Sequence, residues 1–304
     1  MSALRITHEL GSSVTVRDGE VELFTYVYQP TTRALESPKP YLHPIRTRRG
    51  DVVSLFRPHD HVWHKGIAWA LPVVGDENFW GGPTYVHGQF YVQLPNNGVQ
   101  QHEGRIELEA GERASVSHAL RWITEDSRVL FTEQRGLTAE IVSDDAWALT
   151  FDTQLTNVSG ASIAIGSPTT RGRENAGYGG LFWRGPRSFT DGTLVAPGAG
   201  GAGDDLRGSR HEWMGFVGRH DDIDATSLVL MLDDAANPHH PPQWFARSEE
   251  FAALNPAPFF SEEVVVDAGE TVRFRHAVGI ATGGADAAEP LADALRGILQ
   301  PVLV

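Results

Sequence analysis

The chain has 304 residues, of which 41% are hydrophobic and 21% charged, and its formal net charge is −14. No stretch approaches the roughly 20 apolar residues of a membrane-spanning helix, and the negative charge argues against a nucleic-acid groove, which needs clustered Lys and Arg to neutralise phosphates. We therefore expect neither a membrane nor a nucleic acid as a partner.

Cysteine is absent, which excludes disulfides, thiolate metal sites and cysteine nucleophiles. A chain without thiols is compatible with a reducing compartment. The first ten residues lack the basic start and the continuous apolar segment of a secretory signal. A cytoplasmic location is the expectation.

The first predicted elements are two strands, at 13–16 and 21–24, in which apolar and polar residues alternate around a turn. The same period of two returns in six later runs, at 105–108, 115–123, 128–133, 138–142, 146–156 and 162–165. Short turns between consecutive strands predict an antiparallel meander, because parallel strands need crossovers of a dozen residues or more.

Two long insertions interrupt this meander, at about 58–97 and 167–215. Both are rich in Gly, Pro and aromatic residues. Long irregular segments on a β scaffold often carry function. We expect these two insertions to form the rims of one cleft.

The chain ends with predicted strands at 226–232, 262–266 and 271–280 and then a helix. That helix carries Leu291, Leu295, Ile298 and Leu299 on one face, so it is expected to pack on the sheet and serve stability. No internal repeat or linker divides the chain. The predicted fold is all-β, a large antiparallel β-sandwich with a short C-terminal helix, in a single domain over residues 1–304.

The densest group of ionisable side chains lies in the first insertion. His59, Asp60, His61 and His64 fall in one short arc, and His43 precedes it. Imidazole titrates near neutrality and is the commonest metal ligand. General acid/base work needs one imidazole and a carboxylate to orient it, which Asp60 or Glu103 would supply.

A metal site needs three or four ligands. His61 and His64 would require help from Asp60, His43, His102 or a distant carboxylate, and no standard zinc spacing is present. No cofactor is predicted, and a divalent metal bound by histidines stays open as an alternative. A structural hydrogen-bonding role is the third interpretation.

The second insertion places four arginines within seventeen residues, 171–187. Arginine is a planar donor suited to carboxylates, phosphates or vicinal oxygens, although pairing with loop carboxylates would explain the cluster equally well. Trp63 and Trp183 lie in Gly- and Pro-rich loops, where an indole face can stack on a sugar ring. Core or loop-anchoring roles are the alternative for both.

Five segments in the same order resemble the PmoA-like bacterial family of unassigned function. They are YLHPIRT at 41–47, DHVWHKG at 60–66, NFW at 78–80, GYGGLFWRGPR at 177–187 and NPAPFF at 255–260. The label suggests a methane oxygenase subunit, but the membrane helices of such a subunit are missing here. Family members typically read DHPHHRG where this chain has Val62, Trp63 and Lys65, so one imidazole and one guanidinium are lost.

The meander is also similar to the galactose-mutarotase type of β-supersandwich, especially over 147–157. That resemblance implies a bound sugar, a His acid and a late carboxylate base, for which Glu262 or Glu263 stands in position. We therefore expect a carbohydrate-active enzyme, an epimerase, lyase or glycoside-cleaving enzyme, whose partner is a small-molecule carbohydrate. A non-catalytic sugar sensor and a His-ligated metal enzyme are the alternatives, and the oligomeric state is open.

The residues expected at this site divide into two groups. The catalytic group is His61, His64, Asp60 and Glu262. The substrate-binding group is His43, Arg46, Trp63, His102, Arg171, Tyr178, Trp183 and Arg184.

Overall fold

The computed structural model describes residues 3–300, in which the chain forms two large antiparallel sheets. The strands of the first half are β1 (Leu4–Glu9), β2 (Ser13–Asp18), β3 (Val21–Val27), β4 (Tyr41–Ile45), β5 (Ile67–Ala70), β6 (Val73–Val74), β7 (Thr84–Val86), β8 (Phe90–Val92), β9 (Val99–Glu109), β10 (Arg113–Ile123), β11 (Val129–Ile141) and β12 (Ala146–Asn157). Those of the second half are β13 (Ile163–Gly166), β14 (Gly180–Arg184), β15 (Thr193–Ala196), β16 (Ala199–Gly201), β17 (Trp213–Arg219), β18 (Thr226–Asp233), β19 (Gln243–Arg247), β20 (Ala253–Ala257), β21 (Val264–Val266) and β22 (Thr271–Thr282).

Helical structure is sparse beside these strands. The α-helices are α1 (Gly203–Leu206) and α2 (Ala288–Leu299), and single 3₁₀ turns occur at Ala34–Glu36, Arg187–Phe189 and Ala285–Ala287. Within residues 3–300, no helix combines the length and the apolar character needed to cross a membrane.

The first large sheet has eight strands in the order β1-β2-β3-β4-β5-β14-β20-β19. The second has nine strands in the order β16-β15-β17-β18-β22-β12-β11-β10-β9. Two small sheets, β21-β13-β6 and the hairpin β7-β8, complete the architecture. The predicted antiparallel sandwich with a short C-terminal helix is confirmed.

The inner faces of the two sheets share one hydrophobic core. It takes Trp69 and Trp183 from the eight-stranded sheet and Trp147, Phe151 and Phe274 from the nine-stranded sheet. Because side chains alternate across a strand, each strand that contributes to this core also presents every second residue to an outer face. The two outer faces are covered differently.

Helix α2 covers the outer face of the nine-stranded sheet. Its residues Leu291, Leu295 and Leu299 pack with Leu228 and Leu230 of β18 in a separate apolar cluster. This is the position and the role expected from the periodicity of the helix.

Two predictions about the strands need correction. The runs at 128–133 and 138–142 belong to one long strand, β11. The insertions at 58–97 and 167–215 are not irregular throughout, since they contain β5 and β14, which pair in the middle of the eight-stranded sheet. Both strands are buried on each face. β5 is therefore a continuous apolar run and β14 is one up to its last residue, Arg184, and neither shows the alternation of a half-exposed strand.

Candidate functional site

A cavity of about 400 Å³ lies over the outer face of the eight-stranded sheet. Both predicted insertions contribute to it, together with β19 and the turn that follows β19. Its lining residues are His61, Trp63, His64, Trp80, Gly81, Pro83, Tyr91, Arg173, Ala176, Tyr178, Phe182, Phe245, Arg247, Glu250 and Phe251. This volume and this mixture of aromatic walls with a few polar groups are typical of small-molecule sites.

Strand periodicity decides which side chains of the sheet reach the cavity. On β14, Leu181 and Trp183 enter the shared core, whereas Phe182 packs on the outer side with Trp80 and Phe251. On β19, the same alternation buries Trp244 in the core and turns Phe245 and Arg247 to the cavity. The floor of the cavity is therefore formed by the alternate side chains of these strands that point to the outer face of the sheet.

Residues 57–66 form a tight loop that carries the histidines; we call it the histidine loop. The amide of His61 donates to Pro58 and that of His64 donates to His61, so two turns follow one another. The amide of Arg57 donates to His64 O and closes the loop. At its end Gly66 has a φ of +55°, and a Cβ there would lie 2.0 Å from Leu42 O, so only glycine fits.

Trp63 forms a wall of the cavity because two glycines give it room. A Cβ on Gly81 or Gly82 would come within 2.7 Å of the Trp63 side chain. The neighbouring Trp80 is fixed through its backbone, since the buried ammonium of Lys39 donates to Trp80 O at 2.8 Å. The aromatic walls are held by backbone contacts as well as by packing.

The two cavity histidines stack on each other and have different hydrogen-bond partners. Their ring centroids are 4.8 Å apart, at an interplanar angle of 16°. His61 Nδ1 lies 2.9 Å from the Asp60 carboxylate, and His64 Nδ1 lies 3.1 Å from the Arg184 guanidinium. No hydrogen-bond partner for either Nε2 is found among residues 3–300.

These partners assign opposite tautomers to the two rings. A carboxylate only accepts, so the neutral His61 carries its proton on Nδ1 and has an acceptor at Nε2. A guanidinium only donates, so His64 accepts at Nδ1 and carries its proton on Nε2. One ring offers a base to the cavity, and the other offers a hydrogen-bond donor.

The electrostatic environment favours a neutral His64 and an ionised Asp60. Burial lowers the pKa of His64 well below its ordinary value, and the nearby His61 and Arg184 act in the same direction. Burial alone would raise the pKa of Asp60, but hydrogen bonds from His61 and Arg187 and the charge of Arg184 hold it well below its usual range. His64 is thus neutral and Asp60 ionised near neutral pH.

Arg184 joins the two halves of this arrangement. Its guanidinium is 1% exposed, lies 3.8 Å from the centroid of Phe251 and is 3.7 Å from the Asp60 carboxylate. Burial lowers the pKa of Arg184 to about 10, which leaves it charged at neutral pH. It positions His64 from behind the cavity wall.

The opposite part of the cavity carries tyrosines and arginines. The hydroxyls of Tyr91 and Tyr178 are 2.8 Å apart, and Arg173 donates to the Tyr91 hydroxyl. Arg247 pairs with Glu250, whose side chain is 69% exposed. Burial raises the pKa of Tyr178 well above its ordinary value, so that hydroxyl stays protonated.

The structure brings six of the predicted site residues together. His61, His64, Trp63 and Tyr178 line the cavity, and Asp60 and Arg184 contact the two histidines directly. The prediction that both insertions border one cleft is confirmed.

Trp183 requires a correction. Its side chain is fully buried, and its Nε1 donates to Val53 O at 2.8 Å. Its position on β14 points it into the core, so it cannot stack on a ligand in this structure. The core alternative was the right one for this residue.

Two further predicted residues, Arg171 of the second insertion and Glu262, lie outside the cavity lining. Glu262 is 65% exposed and faces Arg210 at 4.0 Å and His239 at 3.8 Å. Arg171 donates to Gly75 O at 3.1 Å and lies 3.7 Å from Glu263. The late carboxylate expected from the mutarotase resemblance does not converge with the histidine loop.

The remaining predicted residues hold other parts of the sandwich. His43 contacts Ser54 Oγ at 2.9 Å, and burial followed by the charge of Arg46 lowers the pKa of His43 to about 4. Arg46 donates to Gly50 O at 3.1 Å. The Nδ1 atoms of His102 and His118 are 2.9 Å apart on the neighbouring strands β9 and β10. None of these three predicted residues lines the cavity.

Sequence reasoning noted Arg173 only as one of the four arginines at 171–187, and it missed other cavity residues, among them Arg247 and Phe251. Strand β19 reads QWFAR, with three apolar residues in a row, so no alternation of apolar and polar residues marked Arg247 as a residue of the outer face. Nothing in the sequence placed this strand beside the histidine loop. No group of three or more His, Asp or Glu side chains in the described part of the chain is arranged to hold a metal ion.

A model of the family of unknown function DUF6807 matches residues 13–294. The chain belongs to DUF6807. The motif resemblance had likewise indicated a family without an assigned function. No curated protein matches this DUF6807 chain.

Three solved structures are similar to this DUF6807 protein at low identity. They are an aldose 1-epimerase candidate from Klebsiella pneumoniae (9% identity, TM-score 0.43, 98% of this chain and 87% of that one), a galactose 1-epimerase from Lactobacillus acidophilus (7%, 0.40, 93% and 98%) and a GalM/aldose epimerase homologue from C. elegans (10%, 0.36, 92% and 98%). Similarity at these TM-scores gives no residue-by-residue correspondence.

Proposed function

We propose that this protein is a carbohydrate-active enzyme that performs general acid/base chemistry on a sugar or glycoside in the cavity of the eight-stranded sheet. The observation that carries the proposal is the pair of stacked histidines, one with its Nδ1 facing a carboxylate and the other with its Nδ1 facing a guanidinium. Proton-transfer reactions on sugars need a base at one atom and a hydrogen-bond donor at another. The His61–His64 pair supplies both within one aromatic-walled cavity.

His61 is the proposed base. Asp60 accepts a hydrogen bond from the Nδ1–H group, fixes the ring and stabilises the imidazolium that forms when Nε2 takes a proton from the substrate. Such proton transfer by a positioned side chain typically contributes about 10²- to 10⁴-fold to a rate. The same imidazolium returns the proton later in the reaction.

His64 is the proposed electrophilic partner. As a neutral ring with the proton on Nε2, it donates a hydrogen bond to the substrate oxygen on which negative charge develops. Arg184 keeps it in that tautomer. The walls Trp63, Trp80 and Tyr178 match the apolar faces and hydroxyls of a sugar ring. No metal takes part in the proposed chemistry.

Epimerisation, elimination and glycoside cleavage are all compatible with a base and a hydrogen-bond donor placed in this way, and the PmoA-like resemblance adds no reaction of its own. The test is a conversion assay of the purified protein on a panel of sugars, keto-sugars and glycosides. We expect one class to be converted, with His61→Ala reducing the rate about 10²- to 10⁴-fold. His59→Gln is the matched control, because His59 belongs to the same loop but not to the cavity lining.

Two outcomes would overturn the proposal. Sugar binding without conversion by the wild type would make the protein a binding module, in which His61→Ala weakens affinity only. Conversion that survives His61→Ala unchanged would place the chemistry elsewhere.

A further inference from the structure

The cavity is locally cationic in an acidic protein. Its lining includes Arg173 and Arg247 but only one carboxylate, Glu250, whereas the whole chain has a formal net charge of −14. The one carboxylate is largely exposed and pairs with Arg247, so water and salt screen its charge. A cleft with a positive charge of this kind raises the local concentration of anions.

Arg173 lacks an acidic partner in the described part of the chain. No Asp or Glu oxygen of residues 3–300 lies within 4.0 Å of its guanidinium. It donates instead to the Tyr91 hydroxyl and lies 4.8 Å from the centroid of that ring. A guanidinium has five N–H donors in a planar fork that suits carboxylate and phosphate oxygens, so most of its donors are available to a ligand.

The tyrosine pair next to Arg173 offers one more donor. Tyr91 and Tyr178 together have two hydroxyl protons, and their mutual hydrogen bond uses one of them. Arg247 lies 5.8 Å from the centroid of Phe245, whose ring centroid is 5.5 Å from that of Tyr178. Arg173 and Arg247 both line the cavity, so the two cations flank the tyrosine pair. A cationic fork, a second cation and a hydroxyl donor thus surround one position.

We propose that this position is an anion subsite that binds the carboxylate or phosphate of a charged sugar and directs its ring toward His61. The subsite is defined by Arg173, Arg247 and Tyr178. It rests on the proposed function, because it names the substrate class of the same cavity. The ring would lie against the aromatic walls while the anion is held by the guanidinium groups.

Calorimetric titration of matched sugars tests the subsite. The ligands are D-glucuronate, D-galacturonate and glucose 6-phosphate, each compared with its neutral parent glucose or galactose. We expect at least one anionic sugar to bind about ten- to a hundredfold more tightly than its parent, because hydrogen bonds to charged groups are the strong ones. The difference should shrink at high salt, and the uronates and the phosphate show which anion the subsite prefers.

Arg173→Gln should reduce that preference to about threefold or less without changing the melting temperature. Arg173→Lys should retain part of it, since the charge remains and the planar fork is lost. Arg210→Gln is the matched control, a loop arginine of the same insertion, 44% exposed, that faces Glu262 instead of the cavity. It should leave the preference intact.

The outcomes separate this inference from the proposed function. Neutral sugars that bind as tightly as their acids and phosphates and are converted would overturn the subsite alone, as would a preference unaffected by Arg173→Gln. An anionic sugar held through Arg173 but never converted would support the subsite and overturn the enzymatic function. If no sugar of either kind binds, both are overturned.

Discussion

Both large sheets are built from strands whose side chains alternate between two faces, but the outer faces of the two sheets are covered in different ways. On the nine-stranded sheet, α2 fills the face with leucines, and Gly279 lets it approach closely, since a Cβ there would lie 2.7 Å from Leu291. On the eight-stranded sheet, loops cover the face with rings and arginines and leave a cavity of about 400 Å³.

We therefore expect the helix-covered face to contribute mainly to stability and the cavity face to contribute mainly to ligand binding. A face filled with aliphatic side chains gains free energy from burial and offers nothing polar to a ligand. A face covered by Trp, His and Arg leaves hydrogen-bonding capacity unused, as at the two Nε2 atoms of His61 and His64. Substitutions in the two regions should therefore affect different measurements.

The largest effect should come from His61→Ala in the cavity. Conversion of the proposed sugar substrate should fall about 10²- to 10⁴-fold because the proposed base is lost, while the free energy of unfolding changes little, since the side chain is 36% exposed. The two measurements are the steady-state rate and a denaturant titration. A loss of stability with an unaltered rate would contradict the expected difference between the cavity face and the helix-covered face.

The reverse pattern is expected for Leu295→Ala under α2. This side chain is fully buried, and its truncation should cost about 2–5 kcal/mol of the free energy of unfolding, measured by urea denaturation. Leu10→Ala, at a leucine that is 85% exposed, is the control and should change stability by no more than about 0.5 kcal/mol. Sugar affinity of the folded Leu295→Ala variant should equal that of the wild type. An altered affinity would show that the two outer faces are energetically coupled.

A smaller effect should appear in the pH dependence of stability through His64. Its pKa in the folded state is lowered by burial, so below about pH 6.5 the unfolded chain binds a proton that the folded chain does not. Stability should therefore fall as pH falls through that region, by up to about 1.4 kcal/mol per pH unit for this group.

His64→Gln removes this contribution. The difference in unfolding free energy between wild type and variant should be largest above pH 7 and should narrow toward pH 5. Other buried histidines, such as His43 and His118, titrate in both proteins and cancel. A difference that stays constant from pH 7.5 to pH 5 would show that His64 is not held neutral by the fold.

The smallest effect should come from Arg171→Gln. Arg171 is 40% exposed and interacts with Gly75 O and Glu263, not with the cavity. Sugar affinity and conversion should stay within about twofold of the wild type, because loss of an exposed ion pair changes little. A large loss of affinity would restore the substrate-binding role that the sequence suggested.

The sequence predicted most of the long strands that alternate and the helix that covers one sheet, because half-exposed elements have a visible period. Strand β1 alternates as well but was not predicted. The sequence did not predict β5 and β14, since strands buried on both faces have no polar phase. For the same reason Trp183 was interpreted as a loop residue, although its neighbour Arg184 was placed at the site.

The candidate site was predictable only where its residues are neighbours in sequence. Asp60, His61 and His64 share one loop, and their density was visible. Arg247 lies in the same cavity because of the strand order of the sheet. That order depends on long-range pairing of β14 with β20 and of β20 with β19. His102 was a candidate by residue type and Glu262 by the mutarotase resemblance, and the fold places neither in the cavity lining.

The central claim is that a sugar binds beside two histidines of opposite tautomer on the outer face of the eight-stranded sheet. Nitrogen-15 NMR of the histidine-labelled protein, assigned with single His→Gln variants, measures both parts directly. At neutral pH we predict a proton on Nδ1 of His61 and on Nε2 of His64, and a titrated anionic sugar should shift these two rings and leave His43 and His102 unchanged. The same tautomer on both rings, or a chemical-shift change at His102 without one at His61, would contradict the claim.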